Sequence, residues 1–293
     1  MSAASPDVLA ADTAMGAVTL AVADLDRMVA YYGEGGVGLE LQSLAGGRAT
    51  LGRAGRPALV LEQRQDLRHA PDSAAGLYHT AFLFPDRSDL AASVYSVASR
   101  HPRSFTGSSD HLVSQALYFD DPEHNGVELY WDRPRDEWEW TADGGVRMGT
   151  VYLDPNRFLT ENLTEQGATG GPAGDAGVGH VHLKVGDIAS AHAFYVGTLG
   201  FEVTARFGEQ ALFVSAGGYH HHLGMNTWHS AGAGTRTPAL GLGEVSIAVP
   251  SAEDLGALRE RLAARDVQVQ DDGAEVRLLD PWANLVRVSV AAG

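Results

Sequence analysis

The sequence predicts an α+β fold built from four copies of one βαβββ unit. The first observation is an internal repeat, because LAVADLDRMVAYY at residues 20–32 matches LKVGDIASAHAFY at residues 183–195. Both segments continue through a glycine-containing turn, into GLEL at 38–41 and GFEV at 200–203. Self-similarity of this kind indicates repeated structural units.

Two further segments have the same organisation. One begins at His79 and the other at Glu244, and each opens with alternating apolar residues followed by a helical pattern. They end in related phrases, DDPEHNGVELYW at 120–131 and LDPWANLVRVSV at 279–290. The chain therefore contains four units, which we number in chain order.

Each unit opens with a strand, because its apolar residues alternate with a period of two. A helix follows, and Asp24, Asp187 and Ser251 are its predicted N-caps in the first, third and fourth units. Shorter alternating runs, interrupted by Gly, Asp-Pro or Asn, then predict three antiparallel strands. The apolar sets that we expect to face the helices are Val18, Leu20 and Val22; Thr80, Phe82 and Phe84; Val181, Leu183 and Val185; and Val245, Ile247 and Val249.

The units divide the chain into four stretches. Residues 1–14 are predicted to be a flexible tail, and residues 15–131 a first domain that contains units one and two. Residues 132–179 form a connecting segment rich in Gly, Ala, Thr and Pro near its end. Residues 180–293 are predicted to be a second domain with units three and four.

Composition excludes several functional classes. With 21 Lys and Arg against 37 Asp and Glu, the formal net charge of −16 disfavours nucleic acid and membrane partners. No apolar run is long enough to span a bilayer, and the first residues lack the pattern of a secretory signal, so we expect a cytoplasmic protein. Because the chain has no cysteine, any metal must be bound by His, Asp or Glu.

Polar residues alternate with the apolar sets and should face the concave side of the sheet. The first inward position of the four units holds Ala17, His79, His180 and Glu244 in turn, and Glu128 of unit two falls where unit four has Arg287. Two histidines and one carboxylate on one face suit a divalent metal and resemble the ligand set of non-haem Fe(II) sites. The alternative interpretation is that each is a hydrogen-bonded polar residue of the core.

Four phrases carry a resemblance to a known family: GLYHTAFLFP at 76–85, SDHLVSQALYFDDPEHNGVELYWDRP at 109–134, GHVHLKVGD at 179–187 and SAGGYHHHLGMNTW at 215–228. They resemble the vicinal-oxygen-chelate superfamily of glyoxalases, bleomycin-resistance proteins and extradiol dioxygenases, and in particular catechol-2,3-dioxygenase-like proteins. The resemblance implies that the modules pair into two cup-shaped half-barrel sheets with helices outside. The sequence departs from the family at His124, where a glycine is usual.

In that superfamily the metal ligands occupy the start of a first strand and the middle of a last strand. The resemblance therefore implies His79, Glu128 and His180 as metal ligands, with Fe(II) as the cofactor and Mn(II) as the alternative. These three residues meet only if unit two pairs with unit three. If units pair in chain order, each site is incomplete, and the sequence leaves both arrangements open. If unit two pairs with unit three, units one and four place Ala17, Glu244 and Arg287 at the equivalent positions, and Glu244 and Arg287 are expected to form an ion pair.

Three residues are candidate catalytic groups. His222, in the run His220–His222, is a candidate fourth ligand or general acid–base, although three consecutive histidines also occur by accident on surfaces. Tyr118 lies ten residues before Glu128, and the resemblance implies a hydrogen bond to a substrate oxygen. His111 is a candidate for a contact that supports the site or closes it as part of a lid, and a role in a local turn is the alternative.

The favoured hypothesis is a metal-dependent extradiol dioxygenase that cleaves a catechol-like aromatic diol with O2. A non-redox isomerase or lyase of the glyoxalase type is the second hypothesis, and a metal-free binding or resistance protein is the third. The expected partners are a small aromatic substrate and O2, and the sequence leaves open whether the chain forms a homo-oligomer.

Overall fold

The structure is a computed structural model that describes residues 7–142 and 144–291. The predicted α+β fold is confirmed, since every unit contains one strand, one helix and three further strands. Unit one consists of β1 (Ala14–Val22), α1 (Leu25–Tyr32), β2 (Glu40–Ala45), β3 (Arg48–Arg53) and β4 (Arg56–Gln63). Unit two consists of β5 (Gly76–Leu83), α2 (Arg87–Arg100), β6 (Phe105–Asp110), β7 (Ser114–Asp120) and β8 (Gly126–Asp132).

The second half of the chain repeats this order after a connecting segment. That segment holds a 3-10 turn (Arg135–Glu137), β9 (Val151–Tyr152), α3 (Pro155–Asn162) and α4 (Glu165–Gly170). Unit three consists of β10 (Gly177–Lys184), α5 (Ile188–Tyr195), β11 (Glu202–Phe207), β12 (Ala211–Ser215) and β13 (Leu223–Asn226). Unit four consists of β14 (Gly241–Val249), α6 (Ala252–Ala264), β15 (Gln270–Asp271), β16 (Glu275–Leu279) and β17 (Leu285–Val290).

The sheets decide how the units pair. One sheet has the order β15-β16-β17-β14-β1-β4-β3-β2, and the other has the order β11-β12-β13-β10-β5-β8-β7-β6-β9. We call them the 1+4 sheet and the 2+3 sheet after the units that they join. Unit two therefore pairs with unit three, which is the arrangement that unites the predicted metal ligands. The division into domains at 15–131 and 180–293 stays a prediction, and each sheet takes strands from both of those stretches.

Helix starts follow the sequence closely. Asp24, Asp187 and Ser251 each accept a hydrogen bond from a backbone N–H of the first helical turn, so the three N-cap predictions are confirmed. Asp86 caps α2 in the same way. The apolar strand residues predicted to face the helices are buried, and except for Thr80 they belong to one continuous core with residues of α1, α2, α5 and α6.

Units that are consecutive in the chain are linked by a matching pair of buried hydrogen bonds. Tyr32, at the end of α1, donates to Asp121 in the last turn of unit two at 2.8 Å. Tyr195, at the end of α5, donates to Asp280 in the last turn of unit four at 2.9 Å. Each bond connects one sheet to the other, because it joins an odd unit to the following even unit.

Two further stretches are more ordered than a tail and a linker would be. Of the predicted tail, residues 1–6 lie outside the described residues, but Leu9 and Thr13 are buried and the Leu9 N–H donates to the Gly200 carbonyl. In the connecting segment, β9 pairs with β6, and the N–H groups of Ala173 and Gly174 donate to Asp89 on α2. Across the described ranges, no helix has the length and apolar character needed to cross a bilayer.

Candidate metal centre

Three adjacent strands of the 2+3 sheet carry the predicted ligands. Strand β5 pairs in parallel with β8 and antiparallel with β10, and the register places Ala81 directly between His180 and Glu128. Because Ala81 is small and fully buried, the longer side chains on both sides can approach each other above it. His79, two residues earlier on β5, shares this face because side chains alternate along a strand.

The distances suit coordination of one ion. His79 Nε2 lies 2.9 Å and His180 Nε2 lies 3.1 Å from the same carboxylate oxygen, Glu128 Oε2. For metal–ligand bonds of about 2.1 Å, two ligand atoms at right angles are about 3.0 Å apart. One ligand atom of each residue lies within 4.8 Å of the other two. The structure therefore brings the three predicted ligands together.

The hydrogen bonding around these residues also fits a metal. All three side chains are buried, yet His79 Nε2 and His180 Nδ1 have no hydrogen-bond partner. The Nε2 atom of His79 is close to Glu128, but the angle is not that of a hydrogen bond. An unpaired buried polar atom costs about 1–3 kcal/mol, and an ion that takes the Nε2 lone pair of His79 removes that cost.

The protonation states of His180 and Glu128 are those that a metal requires. Burial lowers the pKa of His180 to about 4, so this imidazole is neutral at pH 7. Burial alone would raise the pKa of Glu128, but His180 and His79 outweigh it and hold that pKa well below its usual value. Neutral imidazoles and an ionised carboxylate are the forms that bind divalent ions.

The repeat predicts a fourth position beside the site, on the last strand of unit three, where a residue equivalent to Glu128 would lie. A glycine occupies this position. Glu128 pairs with Ala81 across β8 and β5, and the equivalent pair across β13 and β10 is Gly224 with His182. Gly224 has no side chain, and a Cβ there would approach the His182 ring to 3.0 Å. The three candidate ligands are therefore not joined by a fourth side chain on this side of the site.

A β-bulge directs His180 into the site. The register between β10 and β5 shifts between Val178 and His180, so Gly179 is the extra residue. A Cβ on Gly179 would lie 1.7 Å from the Tyr130 hydroxyl, so only glycine fits there. Bulges often re-aim a side chain beside a functional site.

The three ligands line a cavity of about 680 Å³ in the concave face of the 2+3 sheet. Tyr118 and His111 line the same cavity and are hydrogen-bonded, with His111 Nε2 2.7 Å from the Tyr118 hydroxyl. His111 Nδ1 lies 2.7 Å from the Gly149 carbonyl, which can only accept, so Nδ1 carries the proton. In neutral His111, Nε2 is then the acceptor and the Tyr118 hydroxyl donates to it.

Comparisons with known proteins decide the family. A model of the Glyoxalase/Bleomycin resistance protein/Dioxygenase superfamily matches residues 177–276. A Bacillus subtilis (strain 168) protein named catechol-2,3-dioxygenase is 36% identical over 274 residues, which cover 92% of this chain and 94% of that protein. The chain belongs to this superfamily.

Solved structures agree with the superfamily fold. A structure from Bacillus subtilis subsp. subtilis str. 168 superposes with a TM-score of 0.64 at 15% identity, covering 96% of this chain and 86% of that chain. Glyoxalase I from Zea mays gives a TM-score of 0.56 at 16% identity, covering 95% and 92%. At these identities the likeness concerns the fold alone.

The histidine run of this superfamily member differs from the sequence prediction. His222 does not line the cavity, since its Nδ1 accepts from the Ala216 N–H at 3.2 Å and its ring packs beside Tyr219. His220 and His221 line the cavity instead, and the ring centroid of His221 lies 4.1 Å from that of His180. The prediction assumed strand alternation through the run, but β13 begins only at Leu223, so the histidines lie in a loop where alternation does not apply.

A hydrogen-bonded chain fixes His221. Asp132 Oδ1 lies 2.9 Å from His220 Nε2, and His220 Nδ1 lies 2.8 Å from His221 Nδ1. A carboxylate only accepts, so Nε2 of His220 carries its proton and Nδ1 is the acceptor in the neutral ring. His221 therefore donates from Nδ1, and its Nε2 holds a free lone pair. Burial, and then His180 and His220, lower the pKa of His221 well below its usual value.

Sequence reasoning did not find the supporting groups. One of these groups is Asp132, and the other is Asn226, which donates a hydrogen bond to His182 Nε2 at 3.1 Å. Both lie on strands whose pairing is not visible in the sequence. The only available signal was their position inside the two phrases that carry the family resemblance, at 109–134 and 215–228.

Proposed function

We propose that this protein is an extradiol ring-cleaving dioxygenase that uses a divalent metal and O2 to open a catechol-like aromatic diol. The observation that carries the proposal is the convergence of two imidazoles and one carboxylate at the wall of a substrate-sized cavity. A site with three protein ligands and open positions suits an ion that must also contact small molecules. The relative named catechol-2,3-dioxygenase supports the same activity.

His79, Glu128 and His180 would hold the ion, which we propose to be Fe(II), with Mn(II) as the alternative. When bound, the ion would supply Lewis acidity toward the two hydroxyl oxygens of the diol and redox activity toward O2. In the overall reaction, the ring carbon–carbon bond beside the diol breaks and both atoms of O2 enter the product. The protein supplies orientation, proton transfer and exclusion of water.

His221 is the proposed general base. Its Nε2 has a free lone pair, because Asp132 and His220 hold the proton on its Nδ1. A diol bound beside His180 can transfer one hydroxyl proton to this nitrogen, and the proton can return to the product later. The carboxylate of Asp132 then compensates the charge on His221 through the hydrogen bond that it accepts from His220.

Tyr118 and His111 are proposed to orient the diol. Both lie on the wall of the cavity, and burial, with Glu128 next, raises the pKa of Tyr118 well above its usual value. Tyr118 therefore remains a neutral hydroxyl, and its oxygen can accept a hydrogen bond from a substrate hydroxyl while its own proton is donated to His111. Because the Gly149 carbonyl holds the His111 proton on Nδ1, His111 Nε2 keeps accepting from Tyr118.

We retain the expected cytoplasmic location and a small aromatic substrate as part of the proposal.

The test uses untagged protein that is loaded anaerobically with Fe(II) or Mn(II) and then mixed with catechol and O2. We expect one O2 consumed for each ring opened, measured by an oxygen electrode and by product absorbance. His221→Ala should lower kcat by about 10²–10³-fold because general acid–base catalysis is lost, whereas His222→Ala should change kcat less than about twofold. Undiminished turnover after complete chelation, or turnover without O2 uptake, would refute the proposal, and the latter would favour a non-redox isomerase or lyase.

A further inference from the structure

The charge of the cavity wall restricts the substrate. No lysine or arginine is among the described residues that line the cavity, whereas the carboxylates of Glu128 and Asp120 are. Two basic side chains on or next to strands of the 2+3 sheet are engaged elsewhere, since Lys184 donates to the Asp72 carbonyl and Arg133 pairs with Asp110. Glu128 belongs to the metal site, so Asp120 is the wall carboxylate that remains. An anionic substituent on the substrate would therefore meet negative charge without a compensating cation.

One part of the cavity wall is aromatic. Tyr78 packs edge-on against Trp228 and His182, with ring centroids 5.4 Å and 5.0 Å away. Phe213 packs against His182 at 5.5 Å and against Phe207 at 5.6 Å. We call Tyr78, Phe207, Phe213 and Trp228 the aromatic wall. These rings favour flat or apolar groups through stacking and area burial.

The aromatic wall reaches the protein surface. Phe207 and Trp228 are each 45% exposed, although both line the cavity. Exposed apolar surface at the rim of a cavity marks a place where a ligand buries area. A substituent that covers these two rings gains hydrophobic contact that a bare diol cannot reach.

The size of the cavity gives the same indication. A volume of about 680 Å³ lies in the range that holds a drug-sized molecule. A single six-membered ring with two hydroxyl groups beside His180 and His221 would leave most of this space unfilled. The aromatic wall borders part of that space.

We propose that the preferred substrate is an uncharged catechol with a ring-sized apolar substituent that packs on the aromatic wall, and that carboxylated catechols are rejected. This inference rests on the proposed ring-cleaving function. The diol end lies at His79, Glu128 and His180, and the substituent extends toward Phe213 and Trp228. The substrate must then come from a reaction that hydroxylates an apolar aromatic compound with two rings or a comparable side group.

The experiment compares four diols on the metal-loaded protein: catechol, 4-phenylcatechol, 3,4-dihydroxyphenylacetate and dopamine. We expect kcat/KM for 4-phenylcatechol to exceed that for catechol at least about tenfold, since a buried phenyl group contributes more than 1.4 kcal/mol. The anionic diol should fall at least about tenfold below catechol. Preference for the anionic or the cationic diol, or equal use of all four, would overturn the inference.

Two variants assign the preference to the wall. Trp228→Ala should reduce the ratio of kcat/KM between 4-phenylcatechol and catechol several-fold, whereas Trp140→Ala, a matched change of a half-exposed tryptophan away from the cavity, should leave that ratio unchanged. Asp120→Lys should raise kcat/KM for 3,4-dihydroxyphenylacetate relative to 4-phenylcatechol. If Trp228→Ala leaves the ratio unchanged, or Asp120→Lys leaves the discrimination between these two diols unchanged, the inference is wrong.

Anaerobic calorimetry separates this inference from the proposed function, because binding needs no O2. Tighter binding of 4-phenylcatechol than of the other three diols, without any ring cleavage in air, would support the specificity and refute the dioxygenase. Cleavage of catechol with no preference in binding or turnover would support the dioxygenase and refute the specificity. Weak, equal binding of all four diols without cleavage would refute both.

Discussion

The two sheets hold different residues at the same repeat positions. In the 2+3 sheet these positions carry His79, Glu128, His180 and Gly224, and the first three could hold one ion with one side left open. In the 1+4 sheet the register gives Glu244, Arg287, Ala17 and Val60 at the matching places. Arg287 Nε lies 2.8 Å from Glu244 Oε1, so the expected ion pair is confirmed.

The ion pair in the 1+4 sheet extends into a small network. Arg277 lies 3.2 Å from Glu244 and 2.6 Å from Glu275, and Arg287 also lies 3.0 Å from Glu275. Two cations and two carboxylates compensate one another, so these groups need no metal. The comparison teaches that the fold does not determine the chemistry: one sheet neutralises its carboxylates with arginines, and the other leaves a carboxylate to two imidazoles.

The largest expected effect on metal binding and activity comes from removing Glu128 of the 2+3 sheet, and Glu244 of the 1+4 sheet is the matched comparison. Glu128→Ala should abolish stoichiometric metal binding and lower the rate of ring cleavage at least about 100-fold. Loss of a residue that only supports a metal ligand lowers metal affinity or activity by about 10–100-fold, and loss of the ligand itself should lower them more. Elemental analysis and O2 uptake measure both. The repeat-equivalent Glu244→Ala should keep metal content and activity and lose stability. If Glu128→Ala retained its metal, or Glu244→Ala lost it, the two sites would be misassigned.

Breaking the network of the 1+4 sheet should affect stability alone. Arg287→Ala leaves Glu244 and Glu275 with one cation, and we expect the free energy of unfolding to fall by about 1–3 kcal/mol, below the value for a fully buried pair. Urea denaturation measures this loss. Arg48→Ala is the matched control, because the side chains of the Arg48–Glu62 pair are 55% and 40% exposed, and it should cost less than about 1 kcal/mol. Equal losses in the two variants would show that the network contributes nothing specific.

Features common to both sheets should respond equally. Tyr32→Phe and Tyr195→Phe each remove a buried hydroxyl bonded to an aspartate, Asp121 or Asp280. We expect each to lower the free energy of unfolding by about 1–2 kcal/mol, and the effects should add because the two sites share no partner. Thermal and urea unfolding of both single variants and the double variant test this. A large effect in only one variant would mean that the two links are not equivalent.

The smallest effect concerns the last turn of units two and four. His124 has φ 65° and Ala283 has φ 62°, and both lie between the equivalent Asp-Pro and Asn residues. A non-glycine residue in the left-handed conformation destabilises the folded protein by about 1–2 kcal/mol. Glycine removes that strain but loses more backbone entropy on folding, which costs about 0.5–1 kcal/mol. His124→Gly and Ala283→Gly should therefore each raise the free energy of unfolding by about 0.5 kcal/mol. Differential scanning calorimetry can resolve the shift in Tm. A lower Tm in either variant would indicate that the original side chain makes a stabilising contact.

The sequence by itself determined the four units, the N-caps, the inward face of each strand and the three candidate ligands. These properties are local, because the direction of a side chain follows from the period of its own strand and a cap depends on residues three positions apart. His79, Glu128 and His180 could therefore be chosen before any strand was paired.

Only the tertiary structure decided which units share a sheet and which histidine faces the cavity. Pairing of unit two with unit three depends on contacts between residues about a hundred positions apart, for which strand periodicity carries no information. His221 replaces His222 at the cavity because a loop before β13 has no fixed period, so its side chains are directed by Asp132, Tyr219 and the backbone of Ala216. Local periodicity fixes the face of a strand, whereas packing over long sequence separation fixes its neighbours.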